Sequence, residues 1–62
     1  MNLFETLCEA YASHKDELDP VQMFYFLRGT LYAWCLDHGE SVFDMEGLFM
    51  TDIHTMARQE RS

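Results

Sequence analysis

Apolar residues recur along this 62-residue chain at helical spacing, in three blocks separated by polar turns. In the first block Leu3, Phe4, Leu7, Cys8 and Tyr11 fall on one side, with Glu5, Thr6, Glu9 and Ser13 on the other. Asn2 followed three residues later by Glu5 has the form of a capping box, so the pattern predicts an amphipathic helix over about 3–15. It runs out in the polar stretch Ser13-His14-Lys15-Asp16-Glu17. The second block opens with Asp19-Pro20-Val21-Gln22, an N-cap acceptor, a proline suited to the first helical turn and a capping-box partner. Leu18, just before the cap, is placed to staple onto the same helix. His38-Gly39 supplies the stop, so a helix is predicted over 20–38. In the third block Ser41 and Asp44 suggest another capping box. Val42, Met45, Phe49, Ile53 and Met56 line one face of a helix over 42–58, with Asp44, Thr51, Thr55 and Arg58 opposite. An internal glycine costs about 1 kcal/mol relative to alanine, so Gly47 suggests that regular helix starts near Asp44. Arg58 and Arg61 suit a C-terminal end, and Gln59–Ser62 is expected to fray.

The central block differs from its neighbours in being apolar on nearly every side. Met23, Phe24, Leu27, Leu31, Trp34 and Cys35 form one broad stripe, and Val21, Tyr25, Tyr32 and Leu36 form a second beside it. Phe26 and Ala33 lie on the side left over, and only Gln22, Arg28, Thr30 and Asp37 are polar. A helix of this kind is normally surrounded. The expected fold is therefore a single all-α domain spanning 1–62, with three helices and the second packed between the others. A helical hairpin of the last two helices with a short extra helix is the variant. Two neighbours leave a third face of the central helix for a second copy or another partner.

Size and charge narrow the function. A chain this short hides only about 60% of the surface its unfolded form exposes, which makes self-association an expected source of stability. Eleven Asp and Glu stand against four Lys and Arg, a net charge of −7. Lys15, Arg28, Arg58 and Arg61 are too few and too scattered for dense phosphate contacts, so nucleic acid is an improbable ligand and anionic membranes are disfavoured. A helix-turn-helix reading would place Asp44 and Glu46 at the start of the recognition helix, where they repel phosphate. No window of about 18 apolar residues is present to span a membrane, and no basic segment leads into a long apolar run at the N-terminus. The expected compartment is the cytoplasm, with Cys8 and Cys35 as reduced, buried thiols.

Candidate chemistry is thin. Cys35 and His38, with Cys8 and His14 on the first helix, could in principle gather around a metal, but the spacing lacks the knuckle of a zinc site and both cysteines lie in apolar stripes. His14, His38 and His54 have no serine or cysteine nearby in a nucleophile motif, and three short helices rarely enclose a pocket. The reading is that the chain is not an enzyme and needs no cofactor. Gly29 and Ala33, four apart, allow close backbone approach either by a neighbouring helix or by a second copy. Arg28 is placed to stack on an aromatic ring and pair with a carboxylate, or else to snorkel at the bundle edge. Met23, Met45, Met50 and Met56 either fill the core or form a pliable binding surface. The carboxylates at Asp16, Glu17 and Asp19 and at Asp37, Glu40, Asp44 and Glu46 form a solvated rim, or a surface for a basic protein, even a mimic of DNA phosphates.

The character of the whole chain, from Met1-Asn2-Leu3-Phe4-Glu5-Thr6-Leu7-Cys8 through Phe43-Asp44-Met45-Glu46-Gly47-Leu48-Phe49-Met50, resembles the small acidic early proteins of bacteriophages. More narrowly, it resembles the short open reading frames between the exonuclease and excisionase genes of lambdoid phages. The resemblance assigns no functional residues; it implies a modulator of host physiology or of the lysis-lysogeny choice that works through protein contacts in the host cytoplasm. The expected function is thus a non-catalytic protein-protein interaction module, dimeric and binding a host or phage protein. The alternative is a DNA-binding transcriptional regulator or DNA-mimic inhibitor. The residues expected at the partner or dimer interface are Phe26, Arg28, Tyr32, Trp34, Leu48 and Met50.

Overall fold

Two reciprocal capping boxes set where the first two helices begin. The computed structural model describes residues 1–61, with side chains as far as Glu60. Helix α1 spans Leu3–His14. The Asn2 carboxamide oxygen accepts from the Glu5 N–H at 2.8 Å, and the Glu5 carboxylate accepts from the Asn2 N–H at 3.4 Å. Helix α2 spans Pro20–His38, with Asp19 accepting from the Gln22 N–H at 2.8 Å and donating its own N–H to the Gln22 side chain at 3.1 Å. Each box satisfies amide donors that a helix start leaves without partners. At the other end of α2, Gly39 takes the left-handed conformation, φ 66°, and its N–H closes onto the Cys35 carbonyl. Glycine adopts this conformation without the Cβ clash that other residues meet. Helix α3 spans Val42–Arg61.

The three helices form one bundle in which every pair packs together, and no strand occurs among the described residues. The core is Leu3 and Leu7 from α1, Met23, Leu27, Leu31 and Cys35 from α2, and Phe49 and Met56 from α3. Phe4, Cys8, Tyr11, Leu18, Phe24, Trp34, Val42, Met45 and Ile53 pack around it, half-buried. The first stripe of α2 is therefore the buried one. The all-α, three-helix expectation is met, with adjustments. Because α1 also touches α3, the arrangement is triangular, and α2 is not simply sandwiched. The contribution of Leu3 and Leu7 to the core makes α1 a full member of the bundle, unlike the hairpin variant. Helix α1 stops at His14, with Lys15 as its C-cap. Helix α3 runs unbroken from Val42 through Gly47 and past residue 58 to Arg61, because Phe49, Ile53 and Met56 anchor it on both sides of the glycine. The expected fraying of its end falls partly on Ser62 and the Arg61 side chain, which lie outside the described residues.

Candidate interaction surface

Exposed apolar side chains gather along the seam between α2 and α3, on the side away from α1. Helical stepping puts Val21, Tyr25, Tyr32 and Leu36 on one outer stripe of α2, and Phe43 and Met50 on the flank of α3 that meets it. All six are exposed, Leu36 at 85% and Phe43 at 88%. The two helices run antiparallel across this seam. Phe24 meets Phe49 at a ring-centroid distance of 6.0 Å, and Arg28 meets Glu46. Tyr25 therefore stands close to the level of Met50 and Tyr32 to the start of α3 at Phe43, while Leu36 lies about one turn beyond it.

Arg28 and Glu46 bridge the middle of this face. The guanidinium Nη2 donates to the Glu46 carboxylate at 2.9 Å and to the Tyr32 hydroxyl at 3.4 Å, and its carbon lies 5.9 Å from the Tyr32 ring centre. The Tyr32 hydroxyl, first, and the Glu46 charge both favour the protonated guanidinium. An ion pair exposed to this degree contributes little to folding. Its effect is to neutralise the face: in a chain of net charge −7, the seam carries one cation and one carboxylate that cancel. The carboxylates of Asp16, Glu17 and Asp19 lie at one end of the bundle, Glu17 3.5 Å from the His14 ring, and those of Asp37, Glu40 and Asp44 at the other.

Gly29 on α2 and Gly47 on α3 interrupt the same outer surface. A Cβ placed on either would meet nothing within 4 Å. Neither α1 nor α3 approaches Gly29, so the intramolecular contact considered for the Gly29 and Ala33 pair is not made.

The six residues expected at an interface divide between two surfaces. Arg28, Tyr32 and Met50 lie on the α2–α3 face. Phe26 and Trp34 turn toward α1 instead: Phe26 takes the His14 ring edge-on at 4.6 Å, and the Trp34 indole N–H donates to the Met1 carbonyl at 3.2 Å. Trp34 also stacks on His38 at 4.1 Å, and the His38 Nδ1 lies 3.0 Å from the Trp34 carbonyl. Leu48 sits one turn from Asp52, on the flank of α3 nearest α1. The pattern of exposure adds Val21, Tyr25, Leu36 and Phe43 to the face. The second apolar stripe of α2 already named three of these, whereas Phe43, beside the α2–α3 turn, belonged to no stripe.

Two other features complete the surface. A cleft of about 590 Å³ opens at the end where α1 stops, α2 starts and α3 finishes, walled mainly by Leu18, Met23, Phe24, Leu27, Ile53 and Met56. Tyr11 and Glu60 also line it, and the interaction with Glu60, followed by burial, pushes the Tyr11 phenol pKa up. Asp52, only 8% exposed, faces the first helix, and burial raises its carboxyl above the usual range. Burial and the neighbouring Asp52 together raise the Cys8 thiol, and burial, followed by Glu40, raises Cys35. Both are free cysteines with suppressed thiolate character. Among the described residues, no group of three or more His, Cys, Asp or Glu could hold a metal ion, and no helix is long and apolar enough to cross a membrane. No protein family, curated protein or solved structure matches the chain.

Proposed function

We propose that this chain is a non-catalytic protein-binding module and that the α2–α3 face is its contact surface. The observation that carries the reading is the set of six exposed apolar side chains on one neutral face of a strongly acidic chain. Contiguous apolar surface of this kind marks interaction sites on small domains. Both self-association as a homodimer and capture of a host or phage regulatory protein are contacts of the type this face suits. The acidic ends would steer a basic protein toward it. The resemblance to phage early proteins supports a regulatory, host-modulating role in the cytoplasm. A DNA-binding regulator is the poorer reading, because the face carries a single cation and that cation is paired with Glu46.

The test is affinity capture from the native host with the wild-type chain and with a Tyr32→Glu, Leu36→Glu variant. Both positions are exposed, so the variant keeps its helical circular dichroism. Partners recovered by the wild type and lost by the variant support the reading. Equal recovery by both, or tight sequence-specific DNA binding by the purified chain, overturns it.

A further inference from the structure

We propose that the occupant of the α2–α3 face is a second copy of this chain, paired antiparallel about a twofold axis, with Gly29 and Gly47 as the points of closest backbone approach. The proposal rests on the reading of that face as a protein-binding surface and names its partner.

The two glycines have no explanation within one chain. Each sits inside a helix, where glycine is the weakest former after proline. Neither has the positive φ that would require glycine; among the described residues only Gly39 does. Neither has a neighbour that a methyl group would strike. What remains is the benefit of a missing side chain to something approaching from outside. Both notches open onto the exposed apolar face, so the approaching element is a backbone packed against that face.

The face carries projections as well as notches. Tyr25 and Leu36 flank Gly29 on α2, and Phe43 and Met50 flank Gly47 on α3. A surface with both is complementary to itself under a twofold rotation, which brings the projections of each copy to the notches of the other. The central charges obey the same symmetry. Arg28 on α2 and Glu46 on α3 are adjacent and opposite, so a twofold that lays α2 of each copy antiparallel across α3 of the other brings the Arg28 of each near the Glu46 of the other.

Area and net charge then set the strength. Nineteen residues of α2 give a face about 28 Å long, and two helices give it a width of about 18 Å. That is roughly 500 Å² on each copy and about 1,000 Å² in the pair, at the lower limit for a specific interface. An interface of that size belongs to the weak end of specific association, so micromolar chain and above is the range in which to look for it. The carboxylates at the two ends repel their counterparts across the pair, and salt screens that repulsion over about 10 Å at 0.1 M. The dimer tightens as salt rises, whereas binding of a basic partner would weaken.

Sedimentation equilibrium from micromolar to millimolar chain, at low and high salt, tests this on the wild type, Gly29→Ala and Gly47→Ala. The expected wild-type result is a species of twice the 7.3 kDa chain mass whose fraction grows with salt. Each alanine variant should weaken association by about tenfold or more, while dilute samples keep or gain helical circular dichroism. A wild-type monomer at every concentration overturns the proposal, as does a dimer that both alanine variants leave unchanged or tighten. A monomer that still loses a captured protein on Tyr32→Glu, Leu36→Glu overturns only the second copy. A monomer whose captures are indifferent to that variant overturns the binding face with it.

Discussion

Leu31 and Leu36 are the same residue five positions apart on one helix, and replacing each by alanine should separate the core from the proposed contact surface. Leu31 is fully buried, whereas Leu36 is 85% exposed. Truncating a leucine at a site like Leu31 removes its transfer energy and leaves a cavity, at a cost of about 3 to 4 kcal/mol. A chain of 62 residues has a stability of only about 3 to 9 kcal/mol, so Leu31→Ala brings it close to unfolding. Full burial of a leucine is worth about 1.5 to 3 kcal/mol, and Leu36 hides only about a seventh of its surface. The loss at Leu36 is then about 0.2 to 0.4 kcal/mol, offset by the better helix propensity of alanine. The assay is urea unfolding followed by far-ultraviolet circular dichroism, at a low and a hundredfold higher chain concentration. With a slope near 1 kcal/mol/M, Leu31→Ala should lower the midpoint by about 3 M or abolish the transition, at both concentrations. Leu36→Ala should leave the dilute midpoint within about 0.5 M of wild type and lower it only in the concentrated sample, where wild type gains from association. A cost for Leu36→Ala above about 1.5 kcal/mol that does not depend on concentration would refute the reasoning, since it would mean that the single chain already covers this side of α2.

Asp19→Ala removes the N-cap of α2 and should cost about 1 kcal/mol, read as a fall of about 4 to 8 °C in the thermal midpoint; no change would mean that the capping box is not formed. Asp52 has a raised folded-state pKa caused by burial, so its stability contribution is greatest below the unfolded carboxyl value and is lost as pH rises through the folded one. Asp52→Asn should therefore stabilise the chain at neutral pH relative to wild type, and the advantage should shrink on acidification; a constant difference across pH would contradict this. Cys35, 2% exposed and with a raised thiol pKa, should react with a thiol reagent only as fast as the chain opens, and mild urea should accelerate labelling. Gly39→Ala should lower stability by about 1 kcal/mol or more through strain at φ 66°, measured by the same urea titration.

Where the physics is local, the residues announced the structure. Asn2 with Glu5 and Asp19 with Gln22 are only three apart, and both reciprocal boxes form. Gly39 marks the end of α2 because a left-handed stop needs no partner from elsewhere in the chain. The spacing placed Met23, Leu27, Leu31 and Cys35 together on one stripe of α2. The choice between the two apolar stripes of α2 was not readable, because spacing says how residues share a face and not which face the neighbours take. The pairing of Arg28 with Glu46 spans eighteen positions and depends on the antiparallel register of α2 and α3. Phe26 and Trp34 looked like free aromatics because the groups that engage them, the His14 ring at the end of α1 and the Met1 carbonyl just before its cap, are distant along the chain. Asp52 is the instructive miss. It follows Met45 and Phe49 and precedes Met56 at core spacing, so stepping along the helix places it inward, and only its charge argued otherwise.

The connections between helices, residues 15–19 and 39–41, are short, and most contacts join residues close along the chain. Topology of this kind folds in microseconds to milliseconds, and with so little stability to slow the reverse step the native chain must also open often. Its lifetime in a cell that contains proteases is then set by how frequently it is caught open. Anything seated on α2 and α3 closes that window, so the free chain would be cleared quickly and the bound chain would persist. The amount of protein present would track the amount of its partner without any further control.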